Sequence, residues 1–451
     1  MPKRNVAIIL ATLLLSLICY SKIPQNNYTR LYQQATAMID ARYVEKIDQR
    51  QLFQGAMNGM MATLDEHSVY MEPREYRGLD EVLNQEFGGL GIYIERIPES
   101  NEIRIITPAL GSPAFEEGLQ AGDVIVRIGD RLTADLTIEE SQKLMKGPAG
   151  KDVELTVQRE GEDELLVFMV TREIIQMASV RGYNRQADGQ WKYRLPGEDA
   201  GIIYMQLVDF AARSADEIKS ILQTARGQST YRGIILDLRG NGGGLLNTAV
   251  AVCDLFINQQ EIVSVRFRNT QQDRSYEGTA EATIDATTPM VILIDENSAS
   301  ASEITTACLQ DHQRVVVIGQ RSYGKGSVQD VEILQAGDEE HAIKFTIAHF
   351  WRPDGQNIHR REPIGQADTN AVWGVRPTEG YEVVLTPEQQ AANQQDRLRR
   401  FVIQPQLNET NGEPTTTPAT SVEFDKESTK PNLDPHLQKA IEYLNQRKFD
   451  T

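Results

Sequence analysis

The chain has 451 residues, with 46 basic and 64 acidic side chains, a net charge of −18 and a pI near 4.9. This length predicts about three domains and gives ample chain for a hydrophobic core. The acidic balance leaves no basic stripe that could neutralise phosphates, so the composition argues against nucleic acid as a partner.

The amino terminus has the pattern of an export signal. Lys3 and Arg4 precede an apolar run from Val6 to Tyr20. The charge, length and flanks of this run are typical of such a signal, whereas the run is short for a membrane-spanning helix. Because no clear small-x-small cleavage site follows, an uncleaved anchor in the cytoplasmic membrane is favoured over a cleaved signal. Residues 1–25 therefore predict a protein of the cell envelope or periplasm that contacts the membrane through this segment.

Residues 26–85 predict a helical N-terminal region. Helix-like apolar spacing occurs at residues 32–39 and 52–61, and residues 64–71 close the region. His67, in that closing segment, is expected to be structural.

A glycine-rich turn opens the next region, residues 86–172. It consists of Gly89, Leu90, Gly91 and Ile92. Successive backbone N–H groups in such a turn form an anion nest, and the adjoining sheet edge can bind a peptide as an added strand. The turn and the helix-containing segment 111–125 together resemble a PDZ domain. The resemblance implies that the turn binds the carboxylate of a substrate tail, with Leu90 and Ile92 lining an apolar pocket.

A second glycine-rich loop follows a buried strand predicted at residues 233–238. It runs from Arg239 to Gly244 and precedes an apolar helix predicted from Leu245 to Phe256. Glycines let backbone N–H groups approach a ligand closely. Taken alone, such a run is more often a tight turn than an anion site, and both interpretations stay open at this point.

Two further segments supply a nucleophile and a base. Residues 289–294 predict a buried strand and residues 299–310 a helix, so Ser300 falls at a strand-to-helix turn. A strand predicted at residues 315–318 leads into a glycine-bounded loop that contains Lys325, 25 residues after Ser300. That separation is what one helix and one strand need to return to the same sheet edge. A lysine can take the proton of a serine hydroxyl only when burial keeps its amine neutral.

The loop at residues 319–325 also nearly matches the nucleotide-binding pattern Gly-x-x-x-x-Gly-Lys-Ser/Thr. Gly326 stands where that pattern needs a hydroxyl group for magnesium. Residues 327–333 then alternate like a strand, whereas a phosphate-binding loop opens a helix. An ATP- or GTP-binding module is therefore disfavoured.

These segments resemble the carboxyl-terminal processing peptidases, serine peptidases with a Ser-Lys dyad and an inserted PDZ domain. In that family the nucleophile is the second serine of a Ser-Ala-Ser-Ala-Ser-Glu run, and the base lies in a Gly-Lys-Gly loop with a glutamine four residues further on. Ser300, Lys325 and Gln329 occupy those positions here. The resemblance further implies an oxyanion hole formed by the backbone N–H groups of Gly244 and Ala301.

The remaining segments follow the family less closely. Residues 349–358 resemble its strand and Pro-x-Gly turn, and residues 374–377 resemble its Gly-x-x-Pro element. Residues 360–373, between them, look like a local insertion. Residues 388–431 are rich in Gln, Asn, Thr and Pro and predict a polar linker, and residues 432–451 predict a C-terminal helix.

Histidines and cysteines bear on metals and redox chemistry. The six histidines are scattered without a spacing such as His-Glu-x-x-His. Cys19 lies in the leader, while Cys253 and Cys308 fall in predicted buried helices and are expected to be packing thiols rather than a disulfide. We therefore expect no metal and no other cofactor.

The sequence as a whole predicts a multidomain α/β protein. Its catalytic core, residues 173–387, is expected to contain a mixed sheet of the ClpP/crotonase type, with the PDZ domain inserted before it. The expected function is a serine endopeptidase that processes or degrades exported proteins, selected by their apolar C-terminal tails through the PDZ domain. The alternative is a non-catalytic PDZ scaffold that binds protein C-termini. An adaptor or activator protein and a homo-oligomer are compatible with both.

Overall fold

The computed structural model describes residues 26–97, 100–109, 111–186, 190–279, 282–360, 372–401 and 434–447, with the single residues 4, 5 and 12. The predicted export signal, those three residues excepted, lies outside the described part. Every helix within the described part is too short or too polar to span a bilayer. The chain divides into two compact units: Met1–Met71 with Val331–Phe345, and Glu72–Asp330 with Thr346–Thr451.

The secondary structure alternates between helices and strands over most of the described chain. The helices are α1 (Asn27–Arg42), α2 (Gln49–Met61), α3 (Pro73–Asn84), α4 (Pro113–Glu116), α5 (Ile138–Met145), α6 (Ser214–Gln228), α7 (Leu246–Asp254), α8 (Ala301–Asp311), α9 (Pro387–Phe401) and α10 (Pro435–Gln446). The strands are β1 (Val69–Met71), β2 (Glu86–Gly89), β3 (Ile92–Arg96), β4 (Ile103–Pro108), β5 (Val124–Ile128), β6 (Arg131–Leu132), β7 (Asp152–Gln158), β8 (Leu166–Thr171), β9 (Glu173–Gln176), β10 (Val180–Arg181), β11 (Asn184–Arg185), β12 (Trp191–Lys192), β13 (Ile202–Leu207), β14 (Gly233–Asp237), β15 (Glu261–Phe267), β16 (Arg274–Glu277), β17 (Met290–Ile294), β18 (Val316–Gly319), β19 (Ser327–Ala336) and β20 (Glu339–Trp351).

The first unit packs α2 against a small antiparallel sheet. β1 pairs with the first part of β20, so that Tyr70 lies opposite Ile343. Met57 and Met61 of α2 form a buried cluster with Tyr70, and Ile343 packs against this cluster. α1 contributes no buried side chain to the unit. The helical character predicted for the N-terminal region is confirmed.

Strands β3 to β8 of the second unit make up most of the predicted PDZ domain. β3, β4, β5, β7 and β8 pair in that order, with β6 attached to β5, so β3 lies at an edge of the sheet. The core between this sheet and α5 contains Ile105, Ile125 and Leu155, which are fully buried, and Met145 of α5. An edge strand with unpaired backbone groups is what an added peptide strand requires.

The predicted catalytic core is built on a mixed sheet with the strand order β10-β13-β14-β17-β18. β13, β14, β17 and β18 are parallel, and β10 pairs antiparallel with β13. Because successive side chains of a strand point to opposite faces, Ile234 and Leu236 pack with the helices α6 to α8, whereas Ile235 packs with Leu437 and Leu444 of α10. This confirms the predicted α/β core with a mixed sheet, while its ClpP/crotonase type stays a prediction.

The segment predicted as a polar linker begins with a helix. Residues 388–401 belong to α9, and the rest of the predicted linker lies outside the described residues. The N–H of Thr386 donates to Gln389 Oε1 at 2.9 Å, and the N–H of Gln389 donates to Thr386 Oγ1 at 3.3 Å. This reciprocal capping box, followed by strong helix formers such as Gln, Ala and Arg, explains why a polar composition folds as a helix here.

Candidate active site

Ser300 lies at the turn between β17 and α8, as predicted. Its backbone has φ 56° and ψ −114°, a strained conformation for a residue with a side chain. Ala299 and Ala301 on either side are buried, whereas Ser300 is partly exposed. A strained strand-to-helix turn of this kind projects a serine hydroxyl outward from the end of a sheet.

The glycine loop before α7 packs directly against this turn. A Cβ atom added to Gly243 would lie 2.8 Å from Ser300 Cβ, and one added to Gly244 would lie 2.3 Å from the carbonyl oxygen of Phe210. Gly244 also has φ 144°, which favours glycine. Within the described residues, the N–H groups of Gly244 and Ala301 have no hydrogen-bond acceptor. Two backbone donors beside Ser300 thus remain available to a ligand.

Asn241 fixes the glycine loop to the serine turn. Its side-chain oxygen accepts the N–H of Gly243 at 2.8 Å, while its carbonyl oxygen accepts the N–H of Ala299 at 3.0 Å and the hydroxyl of Ser302 at 2.9 Å. Ser302 is fully buried, so its hydroxyl serves packing between the turn and the loop. Two hydrogen bonds accepted by one residue therefore set the position of the loop relative to the turn, and the third shapes the loop itself.

Glu303 joins the serine turn to the lysine loop. Its Oε2 atom accepts the N–H of Ser300 at 2.9 Å and the N–H of Lys325 at 2.7 Å. Its Oε1 atom accepts the N–H of Gly324 at 2.7 Å and the hydroxyl of Ser322 at 2.6 Å. Burial raises the pKa of Glu303, and these four donors act in the opposite direction by favouring the carboxylate.

Glu303 was not among the predicted site residues. Its position three residues after Ser300 matches the capping-box spacing at a helix N-terminus, which is the signal that could have singled it out. That spacing predicts only the hydrogen bond to Ser300. The three contacts with the lysine loop depend on tertiary structure.

Lys325 and Gln329 lie on the same loop and the strand that follows it. Lys325 is partly exposed, and the neighbouring Gly326 is confined, since an added Cβ atom would lie 2.5 Å from the backbone nitrogen of His359. The side-chain nitrogen of Gln329 donates to Ser327 Oγ at 2.8 Å and to Thr346 Oγ1 at 3.2 Å. These contacts fix the Gln329 side chain beside the start of β19.

A buried network of charged side chains supports the start of the glycine loop. Arg239 donates to Asp237 through Nε at 2.8 Å and to Asp434, at the start of α10, through Nη1 at 2.8 Å. Tyr204 donates to the same Asp237 carboxylate at 2.7 Å. Burial alone would raise the pKa of Asp237, but the charge and hydrogen bonds of Arg239 outweigh it and lower that pKa. Asp237 and Arg239 therefore support the glycine loop, and Asp434 joins them from the start of α10.

The turn predicted to bind carboxylates lies between β2 and β3. Gly89 ends β2, opposite Glu173 of β9, while Leu90 is 2% exposed and packs in the PDZ core. Gly91 has φ 72°, and its carbonyl oxygen accepts the N–H of Ala109 at 2.7 Å. Ile92 begins the edge strand and is partly buried. In the described part of the chain, the N–H groups of Leu90 and Gly91 have no acceptor.

The two described cysteines pack in the core of the second unit. Cys253 of α7 and Cys308 of α8 are free and fully buried, as predicted. The neighbouring Cys253 thiol and burial raise the pKa of Cys308, which keeps it a thiol. No cluster of three His, Cys, Asp or Glu side chains suited to a metal occurs among the described residues.

Three family profiles match the chain. "Peptidase family S41" matches residues 201–368, "PDZ domain" matches residues 104–159, and "Activating protease CtpB N-terminal domain" matches residues 21–74. The first of these covers both the serine turn and the lysine loop.

Individual relatives are described as carboxyl-terminal processing proteases. The chain is 34% identical over 396 residues to the carboxy-terminal-processing protease of Bartonella bacilliformis, covering 85% of this chain and 86% of that protein. It is 33% identical over 326 residues to the carboxyl-terminal-processing protease of Synechocystis sp., covering 72% of each. The solved photosystem II D1 C-terminal processing protease matches with a TM-score of 0.42 and 24% identity, over 80% of this chain and 94% of that one. The chain is thus a serine-type peptidase that belongs to the carboxyl-terminal processing peptidase family.

Proposed function

We propose that the protein is an endopeptidase in which Ser300 is the nucleophile, Lys325 the general base and Gln329 a residue that orients the lysine amine. The observation that carries this proposal is the Glu303 carboxylate, whose single Oε2 atom accepts the N–H groups of both Ser300 and Lys325. The two backbone nitrogens cannot lie further apart than the sum of those two hydrogen-bond lengths. One side chain therefore holds the backbones of the proposed nucleophile and the proposed base close together.

The reaction follows an acyl-enzyme route. The neutral amine of Lys325 takes the proton of Ser300 as Oγ attacks the scissile carbonyl carbon. The N–H groups of Gly244 and Ala301 stabilise the resulting oxyanion. The Lys325 ammonium then gives its proton to the leaving amine as the peptide bond breaks, which leaves an ester on Ser300. Lys325 next deprotonates a water molecule that hydrolyses this ester and regenerates the hydroxyl.

The PDZ domain is proposed to select substrates by their C-terminal tails. The unsatisfied N–H groups of Leu90 and Gly91 support binding of a terminal carboxylate, and the edge strand β3 supports pairing with the extended tail. Amidating the last carboxylate of a substrate with an apolar tail is expected to slow its cleavage strongly. Equal rates on free and amidated tails would refute tail selection without touching the Ser-Lys chemistry.

Exported proteins in the cell envelope are the proposed substrates. The support comes from the sequence, where Lys3 and Arg4 precede the apolar run from Val6 to Tyr20. Protease added to intact spheroplasts should digest the protein beyond Gln25, and full protection would contradict this placement.

A homo-oligomer is also proposed, since α1 buries none of its side chains while Tyr28 is 79% and Leu31 58% exposed. Light scattering of the purified protein tests this.

Replacing the two principal residues separates the enzyme from a non-catalytic scaffold. Ser300→Ala should abolish both proteolysis and labelling by a fluorophosphonate. Lys325→Ala should abolish turnover, and Lys325→Arg should not restore it, because a guanidinium cannot act as a base at ordinary pH. Substantial proteolysis by Lys325→Arg would refute the proposed role of Lys325 as the base. If the fluorophosphonate does not label the wild-type protein and the protein still binds C-terminal tails, the non-catalytic scaffold is favoured.

A further inference from the structure

A groove lined by arginines runs along the edge strand β18 of the catalytic sheet. Its volume is about 860 Å³, which lies within the usual range for ligand sites. The arginines that line it are Arg314, Arg321, Arg352, Arg376 and Arg447. Among the described residues that line it, Glu379 is the only carboxylate. This concentration of guanidinium groups contrasts with the net charge of −18 of the whole chain.

The arginines of the groove differ in what they bind. Arg352 forms an ion pair with Asp311, which offsets its charge. Arg321 donates to the carbonyl oxygen of Trp373 at 2.6 Å, a neutral acceptor, and its guanidinium lies 3.6 Å from the centre of the Trp373 ring. Burial, and then the nearby charges of Arg376 and Arg360, lower the pKa of Arg321 to about 10, so it is still charged at neutral pH. Arg376 and Arg447 are exposed to solvent.

One end of the groove lies next to the lysine loop. A Cβ atom added to Gly324 would lie 2.8 Å from the Trp373 ring and 2.9 Å from Arg360 Cβ. The N–H of Arg360 also donates to the carbonyl oxygen of Gly324 at 2.8 Å. Gly324 directly precedes Lys325. A chain that occupies this end of the groove therefore lies close to the proposed base.

The other end of the groove lies at the start of β18. Arg314 and Val315 line it there, just before the first residue of β18, while Arg321 lies two residues after the last. A four-residue strand is on the order of 13 Å long. The groove therefore matches the length of about four extended residues.

We propose that this groove binds an acidic stretch of the protein substrate, about four extended residues long. Guanidinium groups bind carboxylates through paired, charge-assisted hydrogen bonds, and the Trp373 and Val316 side chains offer apolar contact for the stems of glutamate residues. An acidic peptide would be repelled by most of this protein, so binding requires such a local excess of positive charge. The inference rests on the proposed peptidase function, because that function supplies the peptide.

Peptide binding to the Ser300→Ala protein tests the inference without cleavage. The probes are two fluorescein-labelled peptides, one with four consecutive glutamates and one with glutamines in their place. We expect the glutamate peptide to bind at least about 10-fold more tightly at low salt and to lose affinity as salt is raised. The double substitution Arg376→Ala and Arg447→Ala should raise its Kd about 10-fold, since each exposed pair contributes modestly. Arg268→Ala, at an exposed arginine outside the groove, is the matched control and should leave Kd unchanged.

Three results would overturn the inference. They are equal affinity for the two peptides, an equal effect of the control variant, and arginine-dependent binding of tripolyphosphate without binding of the glutamate peptide. Cleavage of a neutral-tailed substrate by the wild-type protein is measured in parallel. If that cleavage occurs while the peptide result fails, the groove assignment is wrong and the proposed peptidase function stands; if cleavage fails, the proposed function is at fault.

Discussion

Substituting Glu303 with glutamine removes a defined part of the contacts that join the proposed nucleophile and the proposed base. The carboxylate accepts the N–H groups of Ser300 and Lys325 on one oxygen, and the N–H of Gly324 and the hydroxyl of Ser322 on the other. A glutamine side chain has one oxygen and one NH₂ group. Whichever way its amide turns, at least one backbone N–H then faces another donor in a buried site.

The size of the effect follows from that lost hydrogen bond. Leaving a buried donor unsatisfied costs about 1–3 kcal/mol. If this cost falls on the arrangement that brings Lys325 to Ser300, kcat decreases by about 5- to 150-fold, because each 1.36 kcal/mol is a factor of ten. If it falls on the fold instead, the free energy of unfolding decreases by the same amount and kcat is preserved.

Two measurements separate these outcomes. Steady-state cleavage of a protein with a flexible apolar tail gives kcat and KM, and urea unfolding gives the free energy of unfolding. Glu296→Gln is the matched control, since Glu296 is exposed just before the same turn. We expect Glu303→Gln to lower kcat and the control to leave it unchanged. A kcat within twofold of wild type, with an unchanged rate of fluorophosphonate labelling, would refute the role assigned to Glu303.

Three further predictions concern the glycine loop and the network below it. Gly244→Ala should lower kcat by more than about 100-fold with the fold retained, because its Cβ atom would displace an oxyanion donor; Gly242→Ala, where an added Cβ atom meets nothing within 4 Å, is the control. Asp434→Ala should lower the free energy of unfolding by about 1–3 kcal/mol, measured in urea, because it removes the buried acceptor of Arg239 Nη1 while Asp237 still pairs with the guanidinium. Burial and the charge of Arg239 lower the pKa of His436, so the unfolded chain binds a proton that the folded chain does not. Stability should therefore decrease as the pH falls from about 7 through the folded pKa of His436, and His436→Gln should flatten that part of the urea-midpoint profile.

The sequence was most informative where local pattern and local structure agree. The bounds of the buried strand and the helix around Ser300 were predicted within two residues, because an apolar run and a helix-forming segment meet there. The glycine loop before α7 was predicted from its composition, and positive φ angles at Gly243 and Gly244 are why glycine is needed. Features that depend on one stretch of the chain could therefore be predicted from the sequence.

Features that join distant stretches of the chain could not be predicted from the sequence. Asp434 lies 195 residues after Arg239, and no local pattern indicates that an aspartate capping the last helix also pairs with an arginine under the glycine loop. The helix α9 was missed for another reason, since its polar composition obscured the Thr386 and Gln389 capping box. Composition predicts whether a segment can bury a core, but caps determine where a polar helix begins.

The strain at Ser300 connects these distant features to catalysis. A residue with φ 56° and ψ −114° holds that conformation only when its surroundings fix it on several sides. Asn241 of the glycine loop accepts hydrogen bonds from the N–H of Ala299 and the hydroxyl of Ser302, and Glu303 accepts the N–H of Ser300 itself. Because Glu303 also binds the lysine loop, a displacement of that loop releases part of the restraint on the nucleophile. The proposed nucleophile, oxyanion donors and base are therefore expected to lose their geometry together, so that substitutions in any two of these segments combine less than additively in kcat.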